Sequence, residues 1–333
     1  MRAAVVREHG SLDNILLEDD FPEPVLQPDW VRIAVRACSI NYHDIFSRRG
    51  MPGIKLPLPL VIGSDIAGDV VEIGAGVTTA AVGDRVLIDP LLPAVGLIGE
   101  RYNGGRAEFC AAHASQLVPI PGGVSYNVAA SIPLAYATAH RMMVTRGAVK
   151  ANDTVLVLGA SGGVGTACVL LAKLVGATVI ACASSAAKLE RLAALGATHG
   201  IDYVKQNMRD AVWNLVGKPR ISGSGGVDLV VNCTGGNTWL DSTRCMSVGA
   251  RLVTCGATAG FDEQIDVRYV WTFEHTLLGS NGWRRSDITT LLEHAAAGTL
   301  VPVVDRVMPL AEVREAERLM EDREVFGKIV LVP

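Results

Sequence analysis

The clearest chemistry in this chain lies in one run, Val155-Leu-Val-Leu-Gly-Ala-Ser-Gly-Gly-Val-Gly165. An apolar, β-branched stretch breaks into glycines and leads at once into Thr166-Ala-Cys-Val-Leu-Leu-Ala-Lys-Leu174, a good helix former. A strand that turns sharply into a helix aims the helix's first backbone N–H groups at one point, and that point is an anion site. A Cβ at Gly162 or Gly163 would stand where a pyrophosphate must lie, and Gly165 lets the helix sit close on the sheet. A second strand, residues 178–182, follows past Gly176 and completes the βαβ setting in which such glycines bind a dinucleotide. Ser161, Gly162, Gly163 and Val164 are therefore the expected contacts to its phosphates. Ligands in such a unit collect at strand carboxyl ends, so Cys233, Thr234, Gly256, Ala257, Ser280 and Asn281, which follow later strands, are added to the cofactor-binding set.

The residues past the second strand select the dinucleotide. An Asp or Glu roughly 20 residues beyond the glycines takes the ribose hydroxyls of NAD. Here the strand is followed by Ala183-Ser-Ser-Ala-Ala-Lys188, with no acid until Glu190. Small hydroxyls and a lysine suit a 2′-phosphate, which a carboxylate would repel. NADPH rather than NADH is expected, with Ser184, Ser185 and Lys188 around the phosphate and Tyr203 as a fourth contact. The alternative for Lys188 is an ordinary solvated helix residue.

These residues need a scaffold, and the chain changes texture to supply one. Up to about residue 120 it reads as short strands, residues 3–6, 30–37 and 67–73 among them, separated by Pro, Gly and Asp clusters. Residues 44–49 predict a short helix closed by Gly50 and stopped by Pro52. From Ser125 helices and strands alternate: a helix over 125–144, a strand over 154–158, a helix over 164–175, a strand over 178–182 and a helix over 186–194. Strands over 228–232, 251–255 and 275–279 follow. Such alternation implies right-handed crossovers and a parallel sheet covered on both faces. The tail predicts an acidic–basic helix over 310–322 and a last strand over 328–332 that pairs back into the N-terminal domain.

Bulk properties narrow the class. The 333 residues suffice for two domains, and 49% hydrophobic with 19% charged residues describes a well-packed globular protein. Net charge is −4 without a basic block, so neither nucleic acid nor an anionic membrane is an expected partner; a small-molecule substrate is. The first residues lack the apolar core of a signal peptide, and no stretch reaches the ~18 apolar residues of a membrane span. The seven cysteines form no CxxC pair, which points to buried thiols in a reducing cytoplasm.

With a β-rich first part, a dinucleotide unit and a returning tail, the chain resembles the medium-chain dehydrogenase/reductase superfamily. The markers are Val35-Arg-Ala-Cys-Ser-Ile-Asn-Tyr-His-Asp44, Gly63-Ser-Asp-Ile-Ala-Gly68, Gly83-Asp-Arg-Val86, the loop from Gly159 to Gly165, and Phe326-Gly-Lys-Ile-Val330. The resemblance implies an α/β protein: a GroES-like β-rich catalytic domain from residues 1–122 and 284–333, and a Rossmann doubly wound parallel-sheet domain from 123–283. Laid on the zinc alcohol dehydrogenases of that superfamily, the metal-ligand positions fall on Asn41, on Ser64-Asp65 and near Leu134. Residues 88–99, where the structural-zinc lobe belongs, hold no cysteine. An amide, a hydroxyl and a leucine cannot build a tetrahedral zinc site, so neither catalytic nor structural zinc is expected. The zinc-free branch is similar to quinone oxidoreductases and enoyl reductases, which use NADPH to reduce quinones or activated C=C–C=O systems. Such an acceptor spreads the incoming charge itself, leaving the protein to orient it, to donate hydrogen bonds to the developing oxyanion and to deliver a proton. The alternatives are a zinc-free alcohol dehydrogenase or ketone reductase, and an NADPH-binding protein without catalysis.

On this resemblance Asn41 stands where the metal is missing. Its amide is expected to hydrogen-bond the substrate carbonyl or the nicotinamide ribose, the alternative being a helix cap. Tyr42, whose phenol carries a proton to give, is a candidate proton donor; His43 and a bound water are its rivals. Many enoyl reductases carry a tyrosine just after the short helix, where Met51 and Pro52 stand here. Asp44 is expected to cap that helix, Asp65 to hold the geometry of the catalytic residues, and Thr138 to lie beside the nicotinamide. Trp283-Arg-Arg285 is read either as a grip on a coenzyme-A phosphate or as a solvated pair. A homodimer is expected through the strand over 275–279, and the loop over 89–103 to set substrate size.

Overall fold

The computed structural model describes residues 1–51, 53, 55–262 and 264–333. The chain forms two compact units, Met1–Tyr136 with Ile288–Pro333, and Ala137–Asp287. Residues 124–136, beyond the expected boundary at 122/123, are bonded into the first unit. Arg85 donates to the Val124 carbonyl and the Tyr126 hydroxyl, Tyr126 bonds Asp69, and the Tyr136 hydroxyl accepts from the Val303 amide at 2.8 Å.

In the first unit the long strand Trp30–Ser39 is the organising element. It pairs antiparallel with Asp65–Ile73, with Phe109–His113 and with the tail strand Lys328–Val332, which also runs parallel to Val304–Pro309. The returning tail therefore completes the N-terminal sheet. Alternation along these strands sends Val31, Ile33, Val35, Ile66 and Val70 into one core. Ile329 and Leu331 join Ile40, Val313 and Leu319 in another.

The short helix, Tyr42–Arg49, begins two residues before the predicted start. Asn41 is its cap and Asp44 sits in its first turn, where the carboxylate accepts from the Asn41 amide at 2.9 Å. Gly50 ends it at φ +79°, a left-handed conformation open to glycine at little cost. Pro52, the expected stop, lies outside the described residues. A buried charge network anchors this helix to the tail helix Val313–Glu321: Arg48 and Arg106 both bond Glu317, and Arg106 also reaches Asp44 at 3.2 Å.

The second unit is a six-stranded parallel sheet, Thr154–Val157, Thr178–Ala183, His199–Asp202, Val227–Val231, Met246–Thr254 and Thr276–Gly279. In chain order its strands lie 3-2-1-4-5-6, the doubly wound arrangement that places ligands where the order reverses. The strand His199–Asp202 has no counterpart in the sequence reading; four residues including Gly200 give too little pattern. The helix predicted over 125–144 is broken into α-turns and wider π-turns, Tyr126–Ala130, Ile132–Tyr136, Ala137–His140 and Arg141–Arg146. Pro133 within it has no N–H to give, so the regular ladder cannot run through. Among the described residues no helix is long and apolar enough to cross a membrane.

Candidate active site

In the second unit the strand Thr154–Val157 runs into Gly159, at φ +60°, and Gly162 caps the helix Gly163–Val175. At Gly162 a Cβ would meet nothing nearer than the Gly159 carbonyl at 3.6 Å, so the protein leaves that position open. At Gly165 a Cβ would lie 2.3 Å from the Gly159 carbonyl and 2.6 Å from Ala160 Cα. The close approach that requires glycine is thus to the loop's own backbone. Ser161 and Val164 flank these glycines, at the carboxyl end of the first strand.

The neighbouring strand ends carry the other expected cofactor residues. Ser185 caps the helix Ala186–Leu195, its hydroxyl accepting from the Lys188 amide at 3.4 Å, with Ser184 just before it. Tyr203 is exposed, and its amide donates to the Ala183 carbonyl at 3.2 Å. The register also brings a carboxylate that the sequence reading missed: Asp202 lies beside Ala183. Its Oδ1 accepts from the Val204 amide and its Oδ2 is 3.4 Å from Lys205. Only strand pairing could have revealed it, since it lies far past the glycines in sequence.

Cys233 and Thr234 follow the fourth strand, held by buried Asn232, whose Oδ1 accepts from the amides of Thr234 and Gly235. Gly256 and Ala257 follow the fifth strand. Ser280 follows the sixth, with a buried hydroxyl that has no protein partner among the described residues, and exposed Asn281 is next. Thr138 is buried in the same unit.

The first unit assembles a different group. Lys328, the first residue of the tail strand, is almost wholly buried and donates to Asn41 Oδ1 at 2.5 Å, the Ile40 carbonyl at 2.8 Å and Asp65 Oδ2 at 3.3 Å. Asp65 Oδ2 also accepts from Ser39 at 2.9 Å, and Oδ1 from the Leu134 amide at 2.9 Å. An ammonium only donates, so Asn41 must turn its oxygen to Lys328. That leaves Asn41 Nδ2 buried and, among the described residues, without a protein partner. A buried donor with nothing to bond is costly, and its fixed orientation equips it to meet a carbonyl oxygen. The sequence reading quoted Lys328 only within a motif; a lysine heading an otherwise apolar strand is the signal that a buried charge needed a partner.

The other two candidates in this unit differ. Tyr42 packs edge-on against Phe46, ring centroids 5.1 Å apart, and among the described residues its hydroxyl has no hydrogen-bond partner. His43 Nε2 lies 3.0 Å from Glu100. That hydrogen bond holds the histidine above its ordinary pKa and the carboxyl below its own, so the ring nitrogen is already engaged with a carboxylate. Asp44 is pushed up by burial, against the pull of the Arg106 guanidinium.

Residues 27–122 match the alcohol dehydrogenase GroES-like domain, and residues 163–297 the zinc-binding dehydrogenase family. Over 99% of its length the chain is 31% identical to the quinone oxidoreductase-like protein 2 homolog of Nematostella vectensis, covering 88% of that protein. The chain belongs to the medium-chain dehydrogenase/reductase superfamily. Another member, the chloroplastic NADPH-dependent alkenal/one oxidoreductase of Arabidopsis thaliana, is 32% identical over 100% of this chain and 80% of its own length. A solved structure described as an NAD-dependent alcohol dehydrogenase superposes with a TM-score of 0.92 at 35% identity, covering 100% of both chains. Membership and the preserved dinucleotide unit make this chain a nicotinamide-dependent oxidoreductase.

The zinc in the family description finds no matching donor set here. Around Asp65 stand an amide, a hydroxyl and an ammonium, while Ser64 donates to the Ile98 carbonyl at 2.9 Å. One carboxylate beside a fixed cation does not fit a tetrahedral zinc. Among the described residues no group of three or more His, Cys, Asp or Glu side chains could hold a metal ion.

Proposed function

We propose that this member of the superfamily is an NADPH-dependent, zinc-independent reductase of α,β-unsaturated carbonyl compounds or quinones. The observation that carries the reading is the buried group of Lys328, Asn41 and Asp65. It supplies an oriented hydrogen-bond donor where zinc relatives of the fold would need metal ligands. The bound nicotinamide supplies the hydride. Lys328 holds Asn41 so that Nδ2 donates to the substrate carbonyl as negative charge develops on its oxygen; Asp65 neutralises the lysine and keeps it in place. The proton comes from the Tyr42 hydroxyl or from water, His43 being engaged with Glu100.

The name of the Arabidopsis relative supports NADPH and an activated alkene. Ser184, Ser185, Lys188 and Tyr203 form the proposed 2′-phosphate contacts. The seven cysteines, none in a disulfide, suit a reducing compartment such as the cytoplasm. The exposed edge strand Thr276–Gly279 suits a homodimer.

A second reading, a zinc-free dehydrogenase of simple alcohols, is favoured by the structural neighbour described as NAD-dependent and by Asp202 beside Ala183. Oxidation of NADPH and NADH against enones, quinones, enoyl thioesters and simple ketones decides between them, with metal content measured on the same sample. Turnover of enones or quinones with NADPH in metal-free protein is expected. Turnover confined to simple ketones or alcohols, equal use of NADH, or stoichiometric zinc would overturn the proposal.

A further inference from the structure

Two cysteines in the second unit meet at adjacent strand ends. Cys233 follows the strand Val227–Val231, and Cys255 follows the strand Met246–Thr254. Val231 is in register with Val253, so the same register carried two residues on sets Cys233 beside Cys255. Paired strands run about 4.8 Å apart, within the Cα separation of a disulfide. The sulfurs are 3.3 Å apart, and both residues are partly open to solvent, whereas the other five cysteines are buried.

The loops carrying them are fixed to each other. Thr258 donates its amide to the Cys233 carbonyl at 3.3 Å, Ala259 to the Thr234 carbonyl at 2.7 Å, and Gly236 to the Gly260 carbonyl at 2.8 Å. Closing the remaining gap between the sulfurs therefore needs a small side-chain movement rather than a rearranged loop.

We propose that Cys233 and Cys255 form a redox-active dithiol that a hydroperoxide converts to an intramolecular disulfide. The inference does not rest on the substrate or cofactor readings, although Cys233 is also one of the expected cofactor contacts. Either sulfur can donate to the other across the 3.3 Å contact; with Cys255 donating, Cys233 is held below its ordinary value, Cys255 is pushed up, and Cys233 is the attacking sulfur. Its thiolate attacks one peroxide oxygen, forming S–O as O–O breaks, and the released alkoxide or hydroxide takes a proton. Cys255 then attacks the Cys233 sulfur, forming S–S as S–O breaks, and the hydroxyl leaves as water with the Cys255 proton. Two thiols and one hydroperoxide give one disulfide, one water and one alcohol (a second water when the peroxide is hydrogen peroxide). A dithiol reductant reverses it by exchange.

The full-length protein treated with hydrogen peroxide is expected to lose two of its seven free thiols and two hydrogens of mass, both restored by dithiothreitol. Peptide mapping of the oxidised wild type should recover a Cys233–Cys255 cross-link within a single chain. Cys233→Ser and Cys255→Ser should each abolish it, with Cys233→Ser also losing the sulfenic-acid intermediate trapped by dimedone. Mapping needs no variant, so misfolding of either substitution leaves the test intact. Oxidation that only adds oxygen, a cross-link between two chains, or one through buried Cys168 would overturn the proposal.

Discussion

Lys328 makes one clear demand at the scale of single residues. With acceptors at Asn41, Ile40 and Asp65 its three protons are used, so the Asn41 amide has one possible orientation. Asn41→Asp keeps the shape and the lysine contact but removes the donor. It is expected to lose about 10²-fold in kcat/KM for an enone, the cost of one oxyanion donor, and some stability for the second buried carboxylate beside Asp65. Steady-state kinetics below the variant's melting temperature checks this, and wild-type turnover would show that Nδ2 is not the donor. Lys328→Met instead leaves Asp65 buried without its cation, a loss of about 3–5 kcal/mol of stability readable by urea unfolding. Both residues stood in motifs legible from sequence. Their pairing was not, because 287 positions separate them along the chain.

At the scale of elements the glycine loop separates two requirements that one motif conceals. Gly162→Ala places its methyl in open space at φ −81°, so melting should hold while NADPH binding, followed by fluorescence, is lost. Gly165→Ala drives a methyl against Gly159 and Ala160 backbone and should lower the melting temperature itself, an overpacking cost of about 1–3 kcal/mol. Unchanged binding by Gly162→Ala would remove the phosphate from that position. The pair of His43 and Glu100 ties the helix Tyr42–Arg49 to the loop that follows Leu97. His43 is raised above 6.5, so its share of stability is full below that value and fades as pH rises through its folded pKa. Glu100 is depressed below 4.5, so its share fades as pH falls through that group's folded value. Glu100→Gln should therefore depress the melting temperature at about pH 5.5 and much less at about pH 8.5. Equal depression at both would assign the loss to packing.

For the whole molecule, the sixth strand, Thr276–Gly279, leaves one edge of the parallel sheet unpaired with Leu277 exposed, and Trp271 just before it is 70% exposed. An open apolar edge invites a second copy. Light scattering should give twice the chain mass, and Leu277→Lys should yield monomer. Monomeric wild type would exclude this edge as a dimer interface.

Sequence alone determined what local pattern encodes. The β-branched run, the glycines and the helix-forming stretch after them specify a dinucleotide unit, because strand, turn and helix are each set by near neighbours. The tail strand's composition likewise marked it for a sheet. Tertiary structure decided everything that depends on residues remote in the chain. It set Lys328 against Asn41 and Asp65, brought Asp202 beside Ala183, and brought Cys233 to Cys255. It also bonded residues 124–136 into the first unit. Strand register and burial bring such groups together, and neither leaves a periodic trace in the order of the amino acids.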